Sequence, residues 1–563
     1  MGNGIAITRC SLKRCKLRRL TQDAQILCLM RAAAWYEQHG LLSEAIEVTL
    51  QARAYSQAVA LLERYVGQEQ HYTERHDLSR MQTWLQQLPE TLVLAHPVLS
   101  FINACALTFL SASDHLAPTT RDRVQTFLDG AGREWRRAGL IFKQGEVAAF
   151  RALLAARQEC VSEAANLARQ ALTWLSDEQS VWRTVCLGVM GEAARQAGQV
   201  ATARAYYQEI LSLCETTNNQ PGKRVALLSL GEVCGAAGEL RQAATFFRQV
   251  VELADEDLSD LGKALTGLAE LSYEWNDLER AEEEARKALD LARQLADEPL
   301  EVRTTLLLVR ISHARGEVRQ AQERLSTLLA RAYPARSPHL SRTIQMVQAR
   351  LRQALDPLTE LSRWLPPSPE PEEHLPQLYR LQEALLKARW LLAQGNALET
   401  LTLLAPWEKE TRDSGQLRCL LEIDLLRSLA YHRLKDVSST RSLLRHVISL
   451  AVPEGYARLF LDEGEALLSL LRPFVSRIRE KHLQNYLQHL LKPFSASARS
   501  AIPPPLAHGI LSSLFSAYCS FLVHHTLSLC HPRVRHNPAR GALRVAARLR
   551  EYRSCAGNTL LVA

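Results

Sequence analysis

Cys519, His524, His525, Cys530, His531 and His536 crowd residues 519–536 with thiols and imidazoles, the side chains that hold zinc. Their spacing matches no closed four-ligand pattern, so a metal is not expected. Seven arginines follow (Arg533, Arg535, Arg540, Arg544, Arg548, Arg550, Arg553) and could touch phosphates. A basic stretch broken by proline is more commonly just solvated. No G-x-x-x-x-G-K-[ST] occurs. The nearest fragments, PGKR (221–224) and LGKA (261–264), lack the glycine spacing and hydroxyl that would cradle phosphate and Mg²⁺. Glu282, Glu283 and Glu284 alternate with Arg280 and Arg286, as on a solvated helix face with i,i+4 pairs. No Ser/His/Asp set, Cys/His set or carboxylate pair has local support. Catalytic, cofactor-binding and metal residues are therefore not expected, and the chemistry left to this chain is recognition.

The elements that would carry it are helices. The 563 residues are 47% hydrophobic and 23% charged with 6% aromatics, which is helix-rich and beyond one compact core. The net charge is +8, with +6 in residues 1–31, +6 in 501–563 and −4 between them. The mildly acidic middle offers no broad nucleic-acid footprint. Of twelve cysteines, the six between residues 32 and 500 are scattered singly and read as buried free thiols in a reducing, cytoplasmic setting. GILSSLFSAYCSFLV (509–523) is the most apolar run, shorter than the roughly 20 residues of a spanning helix. No membrane association is expected.

Three stretches align: GEAARQAGQVATARAYYQEIL (191–211), GEVCGAAGELRQAATFFRQVV (231–251) and AELSYEWNDLERAEEEARKAL (269–289). Each opens on a small residue (Gly191, Gly231, Ala269). Seven on stands a residue that can end a helix (Gly198, Gly238, Asn276), twelve on an alanine (Ala203, Ala243, Ala281), and sixteen on Tyr207, Phe247 or Ala285. Glycine or asparagine takes the left-handed conformation that closes one helix. Alanine in the next helix lets the backbones approach, and the aromatic fills the gap. The turn residue recurs near every fortieth position: Gly198, Gly238, Asn276, Gly316, Leu355, Gly395 and Lys435. An earlier pair lies at 34–62, with Gly40 and Ala45. SRWLPPSPEPEEHLPQ (362–377) forbids helix and reads as a loop between repeats. An irregular bundle or a HEAT-type array would not hold the turn residues in such near-constant phase. The expected fold is all-α, a right-handed superhelix (solenoid) of antiparallel helix hairpins with a period near 40, resembling a lengthened tetratricopeptide (TPR) repeat.

In such hairpins the first helix lines the groove. Taking Gly191, Gly231, Ala269 and Val309 as equivalent, the next residue and those four and five on project inward. That selects Glu192, Arg195, Gln196, Glu232, Glu270, Tyr273, Glu274, Arg310 and His313, charges with one aromatic, suited to a polar ligand or a peptide.

Three local signatures narrow the reading: AAAWYEQHGLLSEAIEVTLQARAYSQAVALLE (32–63), RMQTWLQQLPETLVLAHPVLSF (80–101) and PEGYARLFLDEG (453–464). With the repeats, they make residues 30–490 resemble the helical region of the MalT-like, large ATP-binding regulators of the LuxR family. The resemblance implies an N-terminal P-loop ATPase, a C-terminal helix-turn-helix, and repeats that bind an inducer or a regulatory protein. Neither flanking module is recognisable here. The tail ending LREYRSCAGNTLLVA is what a helix-turn-helix coding stretch would give in a shifted frame. The expected division is thus a basic, poorly ordered segment (1–31), a MalT-like repeat region (32–490) and a divergent Arg/His/Cys-rich tail (491–563). The expected role is non-catalytic: a protein or small polar inducer held in the concave groove, no cofactor, no DNA binding by this chain, and self-association left open. The alternative is a stand-alone scaffold for protein–protein interaction.

Overall fold

The computed structural model describes residues 22–496 apart from 69–74, 111–115, 159, 177–179, 255–257, 331–337, 356–376 and 476–479. Among them there is helix and no strand. The helices are α1 (Gln22–Gln38), α2 (Leu42–Gln51), α3 (Tyr55–Gln68), α4 (Arg75–Leu85), α5 (Glu90–Ala95), α6 (Pro97–Phe109), α7 (Pro118–Arg137), α8 (Ile141–Arg157) and α9 (Val161–Trp174). Then come α10 (Ser180–Gln196), α11 (Val200–Thr216), α12 (Gln220–Ala236), α13 (Leu240–Leu253), α14 (Leu258–Glu274), α15 (Leu278–Leu295), α16 (Glu298–Ala314), α17 (Val318–Ala330) and α18 (Pro338–Leu355). The last are α19 (Gln377–Gln394), α20 (Ala397–Ser414), α21 (Leu417–Arg433), α22 (Val437–Ala451), α23 (Arg458–Leu461), α24 (Gly464–Val475) and α25 (Lys481–Ala496). Helix α1 begins inside the segment 1–31.

Successive helices pack as hairpins, α10 on α11, α12 on α13, α14 on α15, α16 on α17, α19 on α20 and α21 on α22; each packs on the next, except that α18 stands between α16 and α19 and packs on both. This is a TPR-like helical solenoid. Six of the seven predicted turn residues are left-handed: Gly198 (φ 70°), Gly238 (83°), Asn276 (63°), Gly316 (81°), Gly395 (91°) and Lys435 (62°). At each, the following amide reaches back five residues, as when Glu239 N donates to Cys234 O at 2.8 Å and Asp436 N to Tyr431 O at 3.0 Å. That bond satisfies a carbonyl that the ending helix leaves orphaned. The seventh, Leu355, is instead the last helical residue of α18. Where the residue after the turn is Asp277 or Asp436, its carboxylate also accepts from a first-turn amide, Arg280 N at 3.2 Å or Ser439 N at 3.0 Å.

Size is traded across the three hairpins from α10 to α15. A methyl group on Gly231 would lie 2.6 Å from the Phe247 ring, and one on Gly191 2.8 Å from Tyr207. Where the small residue is Ala269, the facing position carries Ala285, and both are fully buried. Ala203, Ala243 and Ala281 are likewise fully buried at the backbone crossings.

The packing is not purely between neighbours. Leu227, Phe247, Leu268 and Leu271 share one apolar cluster with Leu421, Tyr456, Leu459, Phe460, Leu468 and Leu487. Helix α21 packs on α12 and α23 packs on α14, so the chain returns onto repeats about 200 residues earlier. Five of the six cysteines between residues 32 and 500 are buried and all are free, but Cys160 is exposed. PGKR lies at the start of α12, where the Asn219 side chain accepts from Gly222 N at 2.9 Å, and LGKA lies within α14. No described helix is long and apolar enough to cross a membrane. The proline-rich loop up to 376, the 509–523 run, the Cys/His group 519–536 and the arginines 533–553 fall outside the described residues.

Candidate functional site: a buried line of charge on the inner face

The first helices of the hairpins carry the charges that the repeat register selects, and the structure covers most of them. Of the nine residues selected from the repeat register, Glu192, Arg195, Glu232, Glu270, Tyr273, Glu274 and Arg310 are buried. Only Gln196 and His313 are half-exposed. A hydrated open wall is therefore not what this face presents, because residues of α19, α21 and α23 lie over it.

Each charge meets another. Arg195 Nε donates to Glu192 Oε2 at 2.8 Å, and Gln196 Nε2 donates to Glu192 Oε1 at 2.8 Å. Arg303 forks onto Glu270 at 2.8 and 2.6 Å and reaches Glu232 Oε1 at 3.0 Å. Arg310 stacks 4.3 Å above the Tyr273 ring, with Nη2 3.9 Å from Glu274 Oε1. From the returning part of the chain, Arg418 donates to Glu274 at 3.1 Å and to Glu422 at 3.2 Å. Arg389 binds Glu422 and Glu463, and Arg350 lies 3.6 Å from Glu463. Tyr273 donates to Asp462 at 2.9 Å, and Asp462 also accepts from Arg458, which reaches Asn276 Oδ1 at 3.2 Å.

Seven arginines (Arg195, Arg303, Arg310, Arg350, Arg389, Arg418, Arg458) thus face seven carboxylates (Glu192, Glu232, Glu270, Glu274, Glu422, Asp462, Glu463), all buried. The balance is what makes this burial tolerable, since an unpaired interior charge costs several kcal/mol, on the order of 3–5. Ionisation is displaced accordingly. Burial pushes the Asp462 carboxyl up, as it does Glu192 and Glu232, against the pull of their arginines. Burial also pushes at Glu463, but Arg389 and Arg350 outweigh it and hold that carboxyl below its usual range. Burial, with Arg389 adding to it, lowers Arg350 to about 9.

The pairing is incomplete. Arg310 Nε and Nη2, Arg350 Nε and Nη2, Glu232 Oε2 and Glu274 Oε2 are buried without a hydrogen-bond partner among the described residues. Donors and acceptors are both left over. Elsewhere, a cavity of about 20 Å³ lined by Arg195, Gln196, Gln377 and Gln416 has room for one water. Among the described residues, no group of three or more His, Cys, Asp and Glu could hold a metal ion.

Arg389 was within reach of the repeat register. It follows Ala388, seven residues before Gly395, just as Glu192 follows Gly191. Arg418, Glu422, Arg458, Asp462 and Glu463 carry no such signal, because only the return of the chain brings them to this face. Glu282 and Glu284 also do more than decorate a surface. Glu282 bridges to Arg315 of the next hairpin, and Glu284 accepts from the buried Ser272 hydroxyl at 2.9 Å.

The family model described as the MalT-like TPR region matches residues 145–477. The chain belongs to that family. The MalT-like TPR region so defined contains the whole charge line, from Glu192 to Glu463. No curated protein matches the chain. Among solved structures, a Rap protein complexed with competence and sporulation factor is 14% identical, covering 74% of this chain and 98% of its own, with a TM-score of 0.39. The P58(IPK) TPR domain is 11% identical, covering 84% of this chain and 99% of its own, with a TM-score of 0.20. Likenesses that loose carry no argument about this MalT-like region.

Proposed function

We propose that this chain is a sensor and interaction region of a LuxR-family, MalT-like transcriptional regulator, acting by binding and not by catalysis. Its ligand is a protein segment or a small polar inducer taken up by the inner face. On this reading residues 32–490 are the sensor, flanked by the basic 1–31 and the divergent 491–563, and its setting is cytoplasmic. The observation that carries it is the set of buried polar atoms on Arg310, Arg350, Glu232 and Glu274 that have no hydrogen bond among the described residues. Each such group costs about 1–3 kcal/mol unless something satisfies it. A ligand bearing both donors and acceptors would do so.

The test is thermal denaturation of the full chain against a panel of neutral, anionic and zwitterionic small molecules and short peptides. A ligand at a hundred times its Kd raises stability by about 2.7 kcal/mol. The gain should vanish in Arg310→Met and Glu274→Gln. A gain retained in both variants would place binding elsewhere and remove the inner face from consideration. The alternative, a stand-alone scaffold, draws on the exposed Leu140, Ile141 and Phe142 at the turn between α7 and α8. Replacing those three by serine would then abolish partner capture while leaving Arg310→Met silent.

A further inference from the structure

Pro453–Glu463 connects α22 to α24 and touches the rest of the chain through polar groups at its beginning, middle and end. Arg241 donates from its backbone N to Glu454 Oε2 and from Nε to Pro453 O, each at 3.0 Å. Trp275 Nε1 donates to Glu454 O at 2.9 Å. The Ala457 amide donates to Glu274 O at 2.8 Å. Tyr273 and Arg458 then converge on Asp462. Between these contacts Tyr456, Leu459 and Phe460 are fully buried.

In a solenoid each repeat contacts only its neighbours, so an event at one repeat fades along the array. This segment bypasses that rule. Helix α25 packs on α24, α24 on α21 and α23, and α23 on α14. Only α23 stands between α24 and the helix bearing Tyr273 and Glu274, and α25 follows through α24, without passing through the hairpins between α15 and α22.

We infer that Pro453–Glu463 is a strap that couples the inner face at Tyr273 and Glu274 to the C-terminal helices α24 and α25, so that the two are docked together and released together. The inference stands whatever occupies the inner face. Its basis is the buried polar clasp at the end of the strap. Asp462 is held by a Tyr273 hydroxyl from one element and by Arg458 from the strap itself, and loss of either loosens a buried carboxylate.

The experiment is amide hydrogen exchange on the full-length chain, comparing wild type with Tyr273→Phe, which removes one hydroxyl and keeps the ring. Opening of α24 and α25 through strap release predicts that their exchange rises about tenfold together with that of 453–463. The α6–α9 amides should be unchanged. Tyr207→Phe, the same deletion at a hairpin remote from the strap, should leave α24 and α25 alone. Arg241→Ala, on the exposed side of the strap, gives the same reading should Tyr273→Phe not fold. Unchanged exchange in α24 and α25 beside faster exchange at 270–276 would overturn the inference. So would a uniform rise that includes α6–α9, or an equal rise in Tyr207→Phe.

Discussion

Glu463 shows how single residues set this interior. It accepts from Arg389 at 3.1 and 3.2 Å and faces Arg350 at 3.6 Å, all of them buried. Replacing it by glutamine leaves two interior guanidinium groups with too few acceptors. Glu463→Gln should therefore cost about 3–5 kcal/mol at neutral pH, measured by urea denaturation followed by circular dichroism. The dependence on pH has a definite sign. Glu463 is held below its usual range, so the native state binds fewer protons there than the unfolded chain. Its contribution is present above the ordinary glutamate value of about 4.3 and lost as pH falls through the lowered native value. The gap between wild type and Glu463→Gln should shrink on acidification. A gap that widened would mean that burial, not the arginines, governs this carboxyl. Asp462, four residues after Arg458 and pushed the other way, favours the native state most when protonated and loses that contribution as pH rises.

At the scale of the element, the hairpin is a turn conformation with a size rule attached. Gly238 sits at φ 83°, and a methyl there would also lie 3.0 Å from Leu417. Gly238→Ala should lower stability by about 1–2 kcal/mol, the strain of a left-handed residue with a Cβ. Lys435 already bears that strain, at φ 62° on the surface. Lys435→Gly should therefore raise stability by up to about 1 kcal/mol, the relief of strain outweighing the entropy of glycine. Opposite signs at two equivalent turns, read as melting temperatures, would establish the repeat register thermodynamically. Equal signs would show that the two turns are not equivalent. The turns and the Gly231–Phe247 pairing were legible in the sequence because they are local. Residues within a few turns of one another decide them. The nine positions chosen as groove-facing rested on the same register, which did not foretell that seven of them are buried.

At the scale of the molecule, closure by 453–463 makes a cooperative body of what would otherwise be an array. A chain ending at Ala451 loses Tyr456, Leu459 and Phe460, each fully buried and each stabilising by about 1.5–3 kcal/mol. It should lose exchange protection in α12 to α16, nearly 200 residues before the cut. A chain ending at Ala496 should melt as the full chain does. Equal protection in both truncations would show that the returning contacts contribute nothing.

What the sequence by itself determined is the hairpin: its forty-residue period, the left-handed residue that ends its first helix, and the small residue that admits an aromatic. Periodicity records such choices because each rests on neighbours in the chain. It also carried the family through PEGYARLFLDEG, though not what that stretch does. Only the tertiary structure decided that this stretch crosses back to Trp275 and Glu274, and that the charges of the register are buried, with Arg418 on Glu274 and Asp462 on Tyr273. Those partners are set by how far each hairpin rotates on the last, a small angle summed over several repeats. No single stretch of sequence records that sum.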